Sequence, residues 1–494
     1  MNLFRTKSVE QSIADTDEPE HRLKKNLGSL DLVVFGVGVT IGGGLFVLTG
    51  TAANQFAGPA ISISFVIAAV ACGLAALCYA EFASTVPVAG SAYTFSYATV
   101  GELLAWIIGW DLMLEFIVGA AAVAGGWSGY LANILEGTPL EIPASLASAS
   151  DGVINLPAGL LVLALTAVLV LGIKLSSRVN QVAVAIKVGV SLLFIVAGLF
   201  FVKASNLSPF IPPSEPSGAG TSGLNQPLVE ILFGLEPLTY GWGGIITGAA
   251  VVFFAFIGFD VVATTAEETV DPAKNVPVGI FGSLAICTLL YFAVSVVLTG
   301  MQNFRDISPD DAAPLSTAFT NVGQDGIADV IAIGAAIGIV VVVMILLLGQ
   351  SRVAFAMARD GLLPRVFAKV HPTYRTPHVI TITVGVVVAV LASFTSIDVL
   401  AELVNVGTLF AFILVSLGVV FLRRSRPDLP RAFRVPFVPV LPIVAALICF
   451  YLMLNLALET WIRFVVWMAI GLVIYFAYGY RNSRLGKERA ETKA

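Results

Sequence analysis

Twelve apolar runs, each near the roughly 20 residues that cross a bilayer as a helix, fall at 31–54, 60–84, 99–134, 155–173, 179–203, 243–266, 278–300, 327–351, 378–396, 399–422, 436–458 and 461–480. No other feature limits the fold so strongly. In hydrocarbon a backbone must satisfy its own amides and carbonyls, which leaves helices or closed barrels, and runs this long predict helices. The expectation is an all-α integral membrane protein of twelve spanning helices with short connections and no separate soluble domain. Composition points the same way. Hydrophobic residues make up 57% and charged residues 12% of the 494, with a mean hydropathy of +0.92; that charged share is about half of what a soluble protein carries.

The distribution of charge orients the chain. The first thirty residues are polar, carry Arg5, Lys7, Arg22, Lys24 and Lys25, and lack a short apolar core with a small-residue cleavage site. The first apolar run is therefore expected to direct insertion itself. With this end in the cytoplasm, all of the 27 basic residues except Lys187, Lys203, Arg305 and Arg463 fall on the same side. By the positive-inside rule both termini are then cytoplasmic. The net charge of −5 averages that basic face with an acidic outer one (Asp306, Asp310, Asp311, Asp325, Asp329), so it identifies no partner, and no nucleic acid is expected. Cys72, Cys78, Cys287 and Cys449 lie in apolar runs at spacings that suit neither a metal nor a disulfide framework, which makes them packing residues.

Within the first run the stretch 36–46 reads Gly-Val-Gly-Val-Thr-Ile-Gly-Gly-Gly-Leu-Phe. Glycine weakens a helix interior by about 1 kcal/mol relative to alanine, so the triplet Gly42, Gly43 and Gly44 is where this helix should open. Opened backbone at membrane depth is tolerated only where protein or a water-filled cavity surrounds it, which predicts a polar site near the bilayer midplane. The alternative is close helix packing on small residues. The sixth run repeats the pattern: 253–260 reads Phe-Phe-Ala-Phe-Ile-Gly-Phe-Asp, with Gly258 mid-span and Asp260 after it. Interrupted segments in the first and sixth positions are what an inverted five-plus-five repeat predicts. The cavity then lies between them, with half-helix amides facing an anionic group and freed carbonyls facing a cation.

Three further ionisable residues lie inside spans, where a charge is costly and by default marks function. Asp111 and Glu115 in the third run are four apart and share a helical face. Each either approaches the cavity or hydrogen-bonds between helices. Lys187 sits mid-way along the fifth run, about 12 Å of helix from Val179 and about 24 Å from Lys203, too deep to snorkel. Burial disfavours an ammonium, so Lys187 is a candidate proton carrier or cation substitute, unless it is held in a permanent ion pair with Glu115 or Asp260.

The connections add less. The stretch 79–97 is amphipathic and aromatic, with Pro87 and Gly90, and is either a re-entrant element closing an inner mouth or a plain loop. Glu267 and Glu268, in the turn after the sixth run, are candidates for gating at the inner mouth or for salt bridges to a basic loop. After the eighth run, 350–372 reads as a basic amphipathic helix broken at Gly361 and Pro364, and His371 and His378 beside it are in no ligand spacing.

Taken together, the glycine-rich first run, the 79–97 connector, the 254–260 core, the Glu267 and Glu268 turn and the 352–372 loop resemble the amino acid–polyamine–organocation superfamily. The resemblance is greatest to the bacterial branch of its cationic amino acid transporter family and runs from about Leu27 to Tyr480. It implies the leucine-transporter fold: repeats at 31–203 and 243–422, appended helices at 436–480, and cytoplasmic tails at 1–30 and 481–494. The candidate substrate site comprises Thr40, Ile41, Gly42, Gly43, Gly44, Glu115, Phe254, Ala255, Ile257, Asp260 and Leu346. Glu115 and Asp260 are the deep acids available to a cationic side chain, while Phe256, Phe259 and Leu346 could equally line a pocket for small neutral ones. The resemblance assigns the backbone groups. Amides of Gly42, Gly43 and Gly44 would hold a carboxylate, and carbonyls of Thr40, Phe254, Ala255 and Ile257 an α-amino group. Lys187 matches the lysine that replaces a sodium ion in proton-coupled relatives. Gly43 departs from the pattern, standing where relatives often carry serine, threonine or alanine, which removes a hydroxyl donor. The implied function is proton-coupled uptake of cationic or small neutral L-amino acids by alternating access, without cofactor or metal. An exchanger, a sodium symporter or a transport-inactive sensor are the rivals; no nucleophile–base pair, metal spacing or nucleotide loop suggests an enzyme.

Overall fold

A computed structural model describes residues 5, 27–85, 91–99, 101–149, 152–172, 177–216, 223–265, 269–429 and 431–491. Eight of its helical segments are long and apolar enough to cross a membrane by length and composition, and four shorter apolar helices accompany them among the described residues. These helices are apolar on both sides. Each packs one side into the protein, while Leu289, Phe394, Leu447 and Val473 face outward, an arrangement that only a nonpolar surround such as lipid satisfies.

The first apolar run is broken. Helix α1 (Ser29–Thr40) ends at Ile41, a single turn α2 (Gly43–Phe46) follows, and the chain continues through Leu48–Ala52 to a turn at Gly58 and Pro59. Next come α3 (Ile61–Thr85), α4 (Ser91–Thr99), α5 (Glu102–Leu135), α6 (Leu156–Val170) and α7 (Ser177–Gly198). Helix α8 (Gly241–Val252) runs into a tight turn at Phe253–Phe256 and restarts as α9 (Val261–Thr264). The remainder is α10 (Pro272–Met301), α11 (Asp325–Arg359), α12 (His378–Phe394), α13 (Ile397–Ser425), α14 (Val440–Leu454), α15 (Leu458–Ile474) and α16 (Arg484–Glu491). Between α7 and α8, Glu215–Pro216 and Leu238–Thr239 form a two-stranded antiparallel ribbon.

Helix α5 is the hub, packed along α11 and α13, while α10 packs on α1 and α3 and α6 pairs with α12. Two connections differ from their sequence expectations. The 79–97 connector begins as the last turns of α3 and resumes as α4, with 86–90 outside the described residues. The basic segment after the eighth run is no separate helix: α11 continues unbroken through Arg352 to Arg359, with no glycine or proline between Gly349 and Gly361, where φ is +81°.

Some basic residues do more than set orientation. The buried Glu81 carboxylate at the end of α3 accepts from Arg423 Nε at 2.8 Å, Arg423 Nη2 at 2.6 Å and the Val435 amide at 2.7 Å, with Arg431 also within ion-pair distance. The buried Glu102 at the start of α5 accepts from Arg5 Nη2 at 2.8 Å, Tyr475 Oη at 3.1 Å, Tyr97 Oη at 3.2 Å and the Ser483 hydroxyl. A buried carboxylate this fully satisfied holds its neighbours in register, here tying Arg5 near the N-terminus to α4, α5 and the chain beyond α15.

Candidate functional site

The breaks in the two interrupted helices face each other. At Gly44 there is no room for a side chain, since a Cβ would fall onto the Cα and Cβ of Ala255 and 2.8 Å from its nitrogen. In the second break Gly258 has φ +115°, open to glycine alone, and a Cβ there would meet Val39 Cγ1 at 2.6 Å. Glycine is thus required on each side: at one break for close approach, at the other for backbone conformation.

Between the breaks lies a cavity of about 20 Å³ lined by Val39, Thr40, Gly42, Gly43, Gly44, Gly119, Val123, Phe254, Ile257, Val342 and Leu346. That volume admits about one water molecule, so the site is closed in this conformation. Apart from backbone and Thr40, its lining is apolar. The amides of Gly42, Gly43 and Gly44 donate to no backbone carbonyl among the described residues, as expected where a helix starts anew. They are therefore free to meet an anionic group.

Of the sequence candidates, Thr40, Gly42, Gly43, Gly44, Phe254, Ile257 and Leu346 line this cavity and Ile41, Ala255, Glu115 and Asp260 do not. Glu115 lies one helical turn from Gly119, which does. It is buried with Asp111 and Asp260 close enough to interact electrostatically; the Thr408 hydroxyl lies beside the Glu115 carboxyl and backbone amides of the second break lie beside that of Asp260, while neither Asp111 oxygen has a hydrogen-bond partner among the described residues. Asp111 points instead toward α13, where a Cβ on Gly407 would sit 3.0 Å from Asp111 Oδ1. Glu267 and Glu268 lie outside the described residues. His371 and His378 meet edge to face at 5.1 Å, away from the cavity lining.

Lys187 is fully buried, and its stem lies against Gly338 of α11. Its ammonium donates to the carbonyls of Gly38 and Ile41, the latter at 3.1 Å. These carbonyls are free because α1 stops there. The alternative of a fixed ion pair with Glu115 or Asp260 does not hold: no carboxylate among the described residues lies within ion-pair distance of Lys187.

Two residues passed over in the sequence complete the site. Tyr291 of α10 places its hydroxyl 2.8 Å from both Thr40 O and Ala255 O, so its one hydrogen is shared between the two carbonyls and one side chain bridges both breaks. Asn405 of α13 donates to Ala250 O and Val251 O, both at 2.9 Å, at the end of α8. The available signal was chemical, since a tyrosine hydroxyl or an amide in mid-span must find a partner. Thr40 and Ala255 carbonyls, expected to be open to an α-amino group, are thus already engaged, each with one lone pair left. Tyr291→Phe is expected to lower stability in detergent by about 1–3 kcal/mol and to slow uptake, because it strips both carbonyls of their buried donor. Thermal unfolding and uptake rates unchanged from the parent would refute the bridging role.

Across residues 27–477 the chain matches the family model described as Amino acid permease. It is 48% identical to the branched-chain amino acid permease BcaP of Bacillus subtilis (strain 168), covering 98% of this chain and 99% of that one. It is 46% identical to the methylthioribose transporter of the same organism, over 98% of this chain and all of the relative. A vacuolar cationic amino acid transporter 4 of Arabidopsis thaliana is 38% identical over 86% of this chain and 68% of its own length.

Proposed function

This chain belongs to the amino acid permease family of the amino acid–polyamine–organocation superfamily, and from that premise we propose that it is a proton-coupled importer of small neutral L-amino acids with apolar side chains. Amino acid transport across a membrane, rather than catalysis, is the work of the family. The finer reading takes the eight long and four short apolar helical segments as twelve spans, with repeats at 31–203 and 243–422, two appended spans at 436–480, and both tails in the cytoplasm at the plasma membrane.

One observation carries the substrate class: the closed cavity joins three unpaired glycine amides to walls of Val123, Phe254, Ile257, Val342 and Leu346, with no acid in its lining. Such a site suits a carboxylate at one end and an apolar side chain at the other. The lone pair left on Thr40 O, with Phe254 O and Ile257 O, would hold the α-amino group. A cationic side chain would need an acid that reaches it, and Glu115 and Asp260 stand outside the lining. The relative named as a branched-chain amino acid permease favours the same choice. Because the cavity admits only about one water, substrate entry requires the two broken helices to part, which is the alternating-access cycle.

Proteoliposomes holding the purified chain, without internal amino acid, are expected to accumulate labelled valine and alanine when the outside is more acidic, and arginine far less. With one proton per substrate and no membrane potential, a one-unit pH difference supports up to about tenfold accumulation. Preferential uptake of arginine would overturn the substrate class. Uptake only after loading with internal amino acid would make the protein an exchanger, and binding without movement would make it a sensor.

A further inference from the structure

A second cavity, of about 520 Å³, opens far from the substrate site, where α11 and the chain beyond α15 end together. Its walls are Arg359 and Arg365 on one side and Asn482, Arg484 and Lys487 on the other, with the small residues Ala358, Gly361 and Ala368 as floor. Four cations and no carboxylate line it. The neighbouring Asp360 accepts from Tyr93 Oη at 2.7 Å, and its backbone carbonyl accepts from the Arg484 amide at 3.0 Å. Among the described residues the side chains of Arg359, Arg365 and Lys487 make no hydrogen bond and no ion pair, so the cavity concentrates positive charge.

We propose that this cavity is a binding site for a phosphate-bearing anionic group, supplied by the headgroup of an anionic membrane lipid. The volume lies within the range of about 300–1,000 Å³ typical of ligand sites. Guanidinium groups on two walls match phosphate oxygens in geometry as well as charge. The surroundings favour lipid over a soluble anion. Val366 and Val370, 42% and 45% exposed, alternate with the exposed cations Arg365 and Lys369, and Phe476 is exposed six residues before Asn482. Apolar side chains interleaved with cations at the ends of spanning helices belong at the headgroup level of a bilayer. A phosphate held there would bridge the end of α11 to α16, neutralising two basic segments that otherwise repel each other. The inference goes beyond amino acid transport and depends on the proposed orientation only for which leaflet supplies the lipid.

The test uses the full chain in neutral phosphatidylcholine nanodiscs, titrated with phosphatidylglycerol, with thermal unfolding and native mass spectrometry as readouts. One saturable phosphatidylglycerol site that raises the unfolding temperature is expected. The double variant Arg365→Gln and Lys487→Gln should weaken it about thirtyfold, the loss of two cations at the membrane surface. Arg424→Gln with Arg434→Gln, an exposed basic pair elsewhere, should leave it unchanged. Equal weakening by both pairs, or by neither, would show diffuse attraction only and overturn the site. Inorganic pyrophosphate distinguishes the sources: competition with phosphatidylglycerol supports phosphate recognition at a lipid site, whereas pyrophosphate binding without any phosphatidylglycerol binding assigns the cavity to a soluble anion and overturns the lipid assignment. Valine uptake, measured in parallel, reports on transport independently of either result.

Discussion

Lys187→Met should abolish the response of uptake to an inward proton gradient, bringing up to about tenfold accumulation under a one-unit pH difference down to equilibration. Methionine is close to lysine in length and fills the same groove against Gly338, so the packing of α7 on α11 survives. What it lacks is a donor for the Gly38 and Ile41 carbonyls at the end of α1. A neutral amine has two N–H groups and an ammonium three. Two carbonyls are present to receive them, so the side chain can release one proton without leaving either carbonyl bare. That is the property required of a carrier whose two protonation states bias two conformations of the protein. Lys187→Arg should fail to couple as well, because a guanidinium does not deprotonate and its bulk has to pass Gly338. Substrate binding, followed by thermal shift with valine, separates loss of coupling from loss of fold. A methionine variant that binds valine and still concentrates it in response to the gradient would move the proton elsewhere, to Glu115 first.

Gly44→Val should abolish uptake altogether, and the structure changes the reason. From sequence, a side chain at the glycine triplet would crowd the ligand. In the folded protein a Cβ at Gly44 meets Ala255 before any ligand arrives, so valine must push the two broken helices apart. Overpacking of a tight contact costs about 1–3 kcal/mol, and here the contact is backbone against backbone, where no rotamer can relieve it. Gly43 is the informative contrast: its Cβ would stand 3.7 Å from Phe254 Cε1, from Val123 Cα and from Val123 Cγ2, an ordinary contact inside the cavity. Gly43→Ala should therefore keep or gain up to about 1 kcal/mol of stability while weakening valine binding. Thermal unfolding and valine binding on both variants test this. Equal destabilisation by the two would mean that Gly43 also packs, and unimpaired uptake by Gly44→Val would remove the contact with Ala255 from the account.

What sequence alone determined follows from properties that act along one dimension. Hydropathy marks apolar runs; three adjacent glycines and a mid-span Gly258 mark where helices cannot continue; distance along a helix shows that Lys187 cannot reach water. Each is a statement about a residue and its near neighbours, and each survives in the structure as an apolar helix, a break or a buried amine. The tertiary structure decided everything that depends on which segments meet. Glu102 finds Arg5 across 97 positions and Glu81 finds Arg423 across 342, so these arginines could be seen beforehand only as orientation signals. Lys187 lies against two carbonyls rather than a carboxylate because the end of α1, and not Glu115 or Asp260, packs beside it. Of the three glycines, Gly43 faces the cavity with room for a methyl and Gly44 faces Ala255 without it, a difference set by helix rotation that composition does not carry. Tyr291 shows the same limit most directly: nothing local ties it to Thr40 or Ala255, and only the packing of α10 between the two breaks lets one hydroxyl hold both.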